Sequence, residues 1–545
     1  MNRTKRLLVG APVLFAAALM QAQTTGAGLT PTLYDMTGFY DSELNGTARY
    51  VGMGGAMSAL GGDISVISTN PAGIGLYRKN DVAVTGGVVT SKSDMGTFGK
   101  SEKQTNAVFN QAGFVYSNHV DGPSLTYFNL GFNYHRLKDF TGRTNWRGTM
   151  PGYRNGDYNR TASQTTLIAD MTNGMGVVDP LTEDDYNKIK NASNANDYYQ
   201  NASDVAWLTI MGIRSGVITP MYNDQNKLTG FDGYDGGTGD YYGETKGSID
   251  AYDFNMSFNF NDRVYLGATL TALDVNYNYY SSYQEDLYDA YAKDPNQQVA
   301  TYLLQNSRKT TGTGVNVNLG LIVRPFEDSP FRFGVAVKTP TWYRLTDTYS
   351  ATMSAFKTES TALSYDYRFQ TPWSFNLSLG HTIGNSFAIG AEYEYTDYST
   401  AKLKDADGND GDENQYIKQQ LKAVNLFKIG AEWKPVSCIA IRAGYNYLSN
   451  VMKTGDEYNY TPGYNSINTR TDYVNMKDGY NLTLGLGYSG KNFYADLSYQ
   501  YNCRNYDFYP FALSGSNNGQ YVNMIPSTDL KTTRQQALLT IGYKF

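Results

Sequence analysis

Apolar and polar residues alternate with a period of two along most of the chain after residue 80, the mark of strands with two unlike faces. Tyr252, Phe254, Met256, Phe258 and Phe260 share one face, and Asp253, Asn255, Ser257 and Asn259 share the other. The same alternation runs through 315–323, 387–395, 480–488 and 493–501, where the second face is chiefly small or polar. In several of these runs aromatic residues flank aliphatic ones on the apolar face. That order suits strands whose aliphatic side chains meet lipid tails while aromatic rings sit at both interfaces. About fourteen strands are predicted, near 81–91, 107–118, 124–140, 247–261, 263–284, 310–326, 330–350, 360–383, 386–404, 421–435, 438–453, 472–489, 491–511 and 533–545.

The connections support a barrel over a sandwich. From Val120-Asp121-Gly122 onward, every second one is short: Asn261-Asp262, Glu327-Asp328-Ser329, Gly384-Asn385, Pro435-Val436 and Ser489-Gly490. Those between are mostly long, at about 92–106, 141–246, 285–309, 405–420, 454–471 and 512–532. Membrane barrels place short turns in the periplasm and long loops outside. The last strand carries Ala537, Leu539, Ile541, Tyr543 and the terminal Phe545 on one face. The expected fold is all-β: a transmembrane antiparallel β-barrel of about 14 strands with long, partly helical extracellular loops.

Before the first strand the pattern breaks. Residues 52–73 read GMGGAMSALGGDISVISTNPAG, a small, flexible and apolar stretch that suits a plug inside the barrel. Arg3, Lys5 and Arg6 precede an apolar run from Leu7 to Met20 and the small-residue site Gln21-Ala22-Gln23. This predicts a signal peptide over 1–22, cleaved after Ala22. The chain then divides into a hatch over 23–80 and a barrel over 81–545, with a large extracellular insertion at about 141–246. Within that insertion, 162–171 and 182–191 are predicted helices, the second capped by Thr182 with acidic residues in its first turn. Trp207, Leu208, Ile210, Met211 and Ile213 form an apolar patch, either packing the loop down or catching a hydrophobic ligand at the surface.

Composition narrows the function. Charged residues make up 18% of the chain and the net charge is −6, with no basic stripe for nucleic acid. Mean hydropathy is −0.47, too polar for a helical membrane bundle but compatible with a barrel. His119, His135 and His381 stand apart in sequence, no G-x-S-x-G elbow occurs, and no enzyme activity or cofactor is expected. The acidic run from Asp405 to Glu413 departs from calcium-loop spacing at Asp410 and Tyr416, so it is read as solvated and not as a metal site. Cys438 and Cys503 fall at different heights of the barrel, and no disulfide is expected. Arg332, Lys338, Glu392, Glu394, Lys428, Glu432 and Arg442 fall on inward positions, where charges pair with one another or hold a plug.

Gly54-Gly55-Ala56, Ala59-Leu60 and above all Asn70-Pro71-Ala72-Gly73, placed just before the first of about fourteen strands, resemble the FadL/TodX family of outer-membrane transporters. The resemblance implies a fourteen-stranded barrel plugged by an N-terminal hatch that holds the Asn-Pro-Ala motif. It also implies surface capture of long-chain fatty acids or other hydrophobic compounds, hatch rearrangement, and lateral release beside a kinked strand. Asn70, Pro71, Ala72 and Gly73 are then hatch or gating residues, and Trp207, Leu208, Ile210, Met211 and Ile213 candidate capture residues. The expected surroundings are outer-membrane lipids, lipopolysaccharide and a hydrophobic small-molecule ligand, with the chain monomeric. The insertion at 141–246 is larger than the family leads one to expect. Its size motivates a second reading, a surface or protein-secretion partner, and a third is a general porin, against which the plug argues.

Overall fold

The computed structural model describes residues 31–40, 43–155, 158–174, 181–193, 198–199, 205–292, 294, 296–453, 467–517 and 520–545. The signal segment expected over 1–22 lies outside them, as does 454–466 of one expected loop. Fourteen antiparallel strands form the wall: β1 (Asp81–Asp94), β2 (Glu102–His119), β3 (Leu125–Asp139, resumed at Gly142–Thr149), β4 (Asp235–Phe260), β5 (Val264–Tyr288), β6 (Gln298–Val323), β7 (Arg332–Lys338, resumed at Trp342–Ser354), β8 (Thr358–Gln370, resumed at Ser374–Ile383), β9 (Phe387–Asp397, resumed at Lys402–Asp405), β10 (Ala423–Val436), β11 (Ile439–Leu448), β12 (Tyr473–Ser489), β13 (Phe493–Tyr509) and β14 (Thr528–Lys544). Pairing of β1 with β14, from Asp81↔Lys544 to Asp94↔Lys531, closes the cylinder.

One observation places the barrel in a membrane. On the lower wall the buried face is polar and the exposed face apolar, the reverse of a water-soluble sandwich. On β12, Leu484 is 62% exposed between Thr483 at 3% and buried Gly485. Leu266, Leu319, Phe375, Leu377, Ile429, Ile441, Leu497, Leu539 and Ile541 extend this apolar belt around the circumference. Aliphatic side chains left in water would forfeit about 25 cal/mol per Å² each, so the belt faces lipid. The molecule is a bacterial outer-membrane β-barrel, with its short turns in the periplasm and its long loops outside.

The upper wall inverts this polarity without a change of period. On β5 the inward set is Thr269 and Thr271 below, then Leu273, Val275, Tyr277 and Tyr279 above. The outward set passes from Leu266 and Leu270 to Asp274 and Asn276. A membrane strand needs about 9–11 residues, and β4 has 26, so its upper half stands in water. The barrel therefore has two storeys, a lower one in lipid and an upper one with a core of its own.

The upper core joins Leu33, Tyr34, Met36 and Tyr40 of the N-terminal segment to Tyr302, Tyr349, Tyr367 and Phe369 of the wall and to the insertion. The storeys meet where β7, β8 and β9 are all interrupted, at 339–341, 371–373 and 398–401. Pro340 and Pro372 have no N–H for the ladder. Threonines bridge the break instead: Val317 N donates to Thr339 Oγ1 (3.0 Å) and Thr341 N to Thr371 Oγ1 (2.8 Å). Trp342 and Trp373 point outward beside it, where an interfacial aromatic ring belongs.

The large insertion is shorter than its expected span of 141–246, because 142–149 continue β3 and 235–246 begin β4. It holds two small hairpins and the helices α1 (Gln164–Thr172), α2 (Glu183–Asn191) and α3 (Trp207–Ser215). The first two match the predicted helices. Thr182 caps α2, its Oγ1 accepting from Asp185 N at 3.2 Å, and Ser163 caps α1 in the same way.

Candidate functional site

Residues 43–77 fill the lower lumen with almost no regular structure, only one turn of α-helix (Ala48–Gly52) and two 3-10 segments (Ile64–Ser68 and Pro71–Leu76). A buried chain without secondary structure leaves its carbonyls unpaired unless something else donates to them. The inward Asn, Ser and Thr of the wall supply those donors. Asn129 Nδ2 donates to Ile74 O (2.7 Å), Ser257 Oγ to Pro71 O (2.8 Å), Thr269 Oγ1 to Ile67 O (3.0 Å), Asn318 Nδ2 to Ser68 O (3.1 Å) and Thr483 Oγ1 to Gly52 O (3.2 Å). The polar inner face of the lower strands is thus the hydrogen-bonding surface of the plug. Val51, Met53, Met57, Val66 and Ile74 form a small apolar core behind it.

Glycines let the plug backbone touch the wall. Gly380, Gly390, Gly430 and Gly444 lie side by side across β8, β9, β10 and β11 in the strand register. A Cβ on Gly390 would lie 1.9 Å from Ala56 O, one on Gly430 2.0 Å from Met53 O, and one on Gly444 2.2 Å from Gly54 N. At these three positions a side chain fits only if the backbone shifts. Further round the wall, on β5 and β6, a Cβ on Gly320 would meet Asn70 Oδ1 at 2.1 Å and one on Gly267 the Pro71 carbonyl carbon at 2.4 Å. Sequence reasoning missed these wall glycines, whose alignment depends on register.

The Asn70–Gly73 motif is buried against this second seat. Asn70 Oδ1 accepts from Ala72 N (3.2 Å) and caps the 3-10 segment, while its Nδ2 donates to Leu321 O (3.3 Å). Pro71 opens that segment, where a missing N–H costs nothing. The motif is therefore clamped to β5 and β6, and movement there first has to break these contacts.

Charges hold the other side. Arg49 of the plug reaches Glu432 on β10 (3.2 Å), which pairs with Arg442 on β11 (2.6 Å), which in turn pairs with Asp496 on β13 (2.5 Å). Glu392 takes Lys428 (2.8 Å) and accepts from Ser58 N of the plug (3.3 Å), and Lys428 also reaches Glu394 (3.5 Å). Five of the seven predicted inward charges thus form networks, and two of these networks tie down the plug.

Beside the plug, among the described residues, neighbouring wall strands β2 and β3 part. β2 and β3 pair only from Gln111↔His135 to His119↔Tyr127. Above that level, among the described residues, β2 pairs with β1 and the upper part of β3 with β4, and a side-chain hydrogen bond, Asn145 Nδ2 to Glu102 Oε1 (2.7 Å), takes the place of a ladder between them. The break in β3 falls at Phe140 and Thr141. Phe109, 49% exposed, covers the outside of the gap and stacks on Tyr134 at 5.5 Å. Behind it lie Glu43 of the plug, Lys138 (3.6 Å from Glu43) and Arg534 (2.5 Å from Glu43).

The expected capture patch is not at the surface. Trp207 is 1% exposed, and Leu208, Ile210, Met211 and Ile213 are buried with it. Trp207 Nε1 donates to Tyr199 O (2.9 Å), and α3 packs on α1 over the upper core. These residues pack the insertion down because five large apolar side chains on a nine-residue helix gain more from burial than from exposure.

The three histidines remain apart: His119 beside Asp121 at a periplasmic turn (3.4 Å), His135 against Asp253 on the inner wall beside the plug (3.0 Å), and His381 near Phe331. In the acidic run, Asp405 accepts from Gly408 N and Asn409 N, and Asp410 pairs with Lys402 (2.9 Å). The helix α4 (Glu413–Gln420) follows, and Glu413 accepts from Leu33 N (2.7 Å), fastening the N-terminal segment. Burial pushes the Glu413 carboxyl up to about 7, and in the insertion burial raises Asp170 to about 7 as well.

No family model and no curated protein matches the chain. Among solved structures, the crystal structure of a Pseudomonas aeruginosa FadL homologue superposes with a TM-score of 0.51 at 12% identity, covering 92% of this chain and 99% of that one. The fold is FadL-like. The P. putida toluene transporter TodX aligns at a TM-score of 0.43 and 12% identity over 92% of this chain and 99% of its own, and the monoaromatic hydrocarbon channel CymD at 0.46 and 11% over 92% and 98%. The FadL-type fold accounts for the strand number, the closed sheet and the course of the chain. The plug seat and the gap at β3 are read from this protein's own residues.

Proposed function

We propose that this FadL-type barrel admits hydrophobic small molecules, such as long-chain fatty acids, across the outer membrane. In this reading the plug shifts and the cargo leaves sideways through the gap between β2 and β3. One observation carries the reading: a lumen closed by a plug sits beside a stretch of wall with no ladder hydrogen bonds. A watery pore would strip about 0.8 kcal/mol per CH₂ from an apolar chain, whereas a side exit delivers it into lipid. The Asn70–Gly73 clamp and the Arg49–Glu432 pair are the contacts that gating would break. Capture outside falls to residues other than Trp207 and its neighbours, which are buried.

The test is uptake of radiolabelled palmitate and toluene into proteoliposomes, with Phe109→Arg placing a charge at the mouth of the gap. Protein-dependent, saturable uptake that drops severalfold in Phe109→Arg is expected. Rates equal to those of protein-free vesicles would overturn transport, and a large steady conductance in planar bilayers would favour a general porin.

A further inference from the structure

A cleft of about 600 Å³ opens to the periplasm beneath the plug, on the side away from the β3 gap, and the transport reading gives it no role. The plug contributes Arg49, Leu60 and Gly61, and the wall contributes Arg332 of β7, the β8–β9 turn and the end of β10. Its size suits a small organic ligand.

The charges that line it do not balance. Arg49, Arg332 and Lys434 are cationic, and Glu432 is the single carboxylate among the lining residues. Glu432 is already shared, accepting from Arg442 (2.6 Å) and Arg49 (3.2 Å) with Lys434 at 3.6 Å. No described carboxylate lies at ion-pair distance from Arg332. One of its terminal nitrogens donates to Leu60 O (2.9 Å), and its Nε is buried without an acceptor. A guanidinium held by one backbone carbonyl leaves most of its five donors to find partners elsewhere, and a buried donor left unmatched is costly. Leu60, Phe387 and Val436 give the same cleft an apolar side.

We propose that this cleft is an anion site that takes an oxyanion, carboxylate or phosphate, on a short apolar body. The head group sits between Arg332 and Lys434, and the body lies against Leu60, Phe387 and Val436. Such a ligand touches plug and wall together, so its binding favours the seated plug, and a seated plug in turn favours its binding. The proposal goes beyond the transport reading and does not depend on what the barrel carries.

The experiment is calorimetric titration of the full chain in detergent micelles at low salt with hexanoate, hexyl phosphate, hexanol and inorganic phosphate, each net of protein-free micelles. One or both six-carbon anions bind, at least about tenfold more tightly than hexanol, and the tighter of the two identifies the head group. Arg332→Gln weakens that anion by about tenfold or more, the loss of a charged hydrogen bond, while Lys491→Gln on an exposed periplasmic turn leaves it unchanged. In the unmutated protein, bound anion slows acylation of the half-exposed Lys434, read by mass spectrometry, and this result decides alone if Arg332→Gln fails to fold. Hexanol binding equal to hexanoate, inorganic phosphate binding as tightly as hexyl phosphate, or an unprotected Lys434 would overturn the site. Palmitate uptake in the same variants separates the two readings, since failure of the cleft leaves transport standing and failure of transport leaves anion binding standing.

Discussion

Gly430→Ala tests whether the glycine row is what seats the plug. The new Cβ would lie 2.0 Å from Met53 O, where non-bonded carbon and oxygen need about 3.3 Å. Strand β10 is fixed between β9 and β11 over most of its length, so the plug must retreat by about 1 Å or more. That retreat pulls Gly54 O from Asn446 Nδ2 (3.3 Å) and Gly52 O from Thr483 Oγ1 (3.2 Å). Overpacking of this kind costs about 1–3 kcal/mol, and it falls on the seated plug rather than on the strand ladder. The expected result is a 5- to 150-fold rise, roughly, in the open population. Amide hydrogen exchange over 48–57 reads it directly, with unboiled gel mobility showing that the barrel is intact. Gly86→Ala is the control, since its nearest neighbour would be at an ordinary 3.4 Å. Exchange over 48–57 unchanged in Gly430→Ala, or raised equally in Gly86→Ala, would refute the seat.

Three further outcomes rest on contacts elsewhere in the molecule. Glu432→Gln leaves Arg49 and Arg442 facing each other without their shared carboxylate, and loosens the plug by about 3 kcal/mol, visible as a lower guanidinium midpoint for 43–77 exchange. Trp207→Ala empties a fully buried site in the upper storey, costs about 3–5 kcal/mol locally, and should speed proteolysis within 150–234 while the lower barrel stays resistant. Glu413 rises from an ordinary 4.5 to about 7, and Asp170 from 3.8 to about 7. The folded upper storey therefore holds protons that the opened form releases, and its stability falls as pH rises through 7. Limited proteolysis of the N-terminal segment and the insertion should be slower at pH 5 than at pH 8, and the opposite order would contradict these assignments.

The lower barrel was legible because lipid marks one face of each strand. Phe254 and Met256 must point outward, and Asp253 and Asn255 follow inward by period alone. The same strand above Ala251 keeps its alternation but reverses its solvent, so the glycine-rich start of β4 at 235–246 offers no apolar stripe and reads as loop. Composition revealed the plug at 52–73, but not its seat. Gly390, Gly430 and Gly444, 40 and 14 positions apart, line up only through strand register, which a single chain does not disclose. The same holds for Glu432, visible as an inward charge whose partner Arg49 lies 383 positions away. Trp207 and its neighbours show the converse: an apolar cluster is plain in sequence, while whether it faces outward depends on what covers it.

The two storeys also differ in what it takes to open them. The upper interior is an aromatic core, and parting it exposes Tyr302, Phe369 and Trp207 to water unless an apolar solute takes their place. The lower plug is held by side-chain donors on backbone carbonyls, each worth about 0.5–1.5 kcal/mol net and each replaceable by water. Moving the plug uncovers Asn129, Ser257, Asn318 and Thr483, a wall already polar enough to be wetted. On the transport reading proposed above, a hydrophobic guest is better matched by the aromatic upper core than by the polar lower lumen. On that proposal its exit lies near the boundary between the storeys, the height at which β3 breaks and parts from β2.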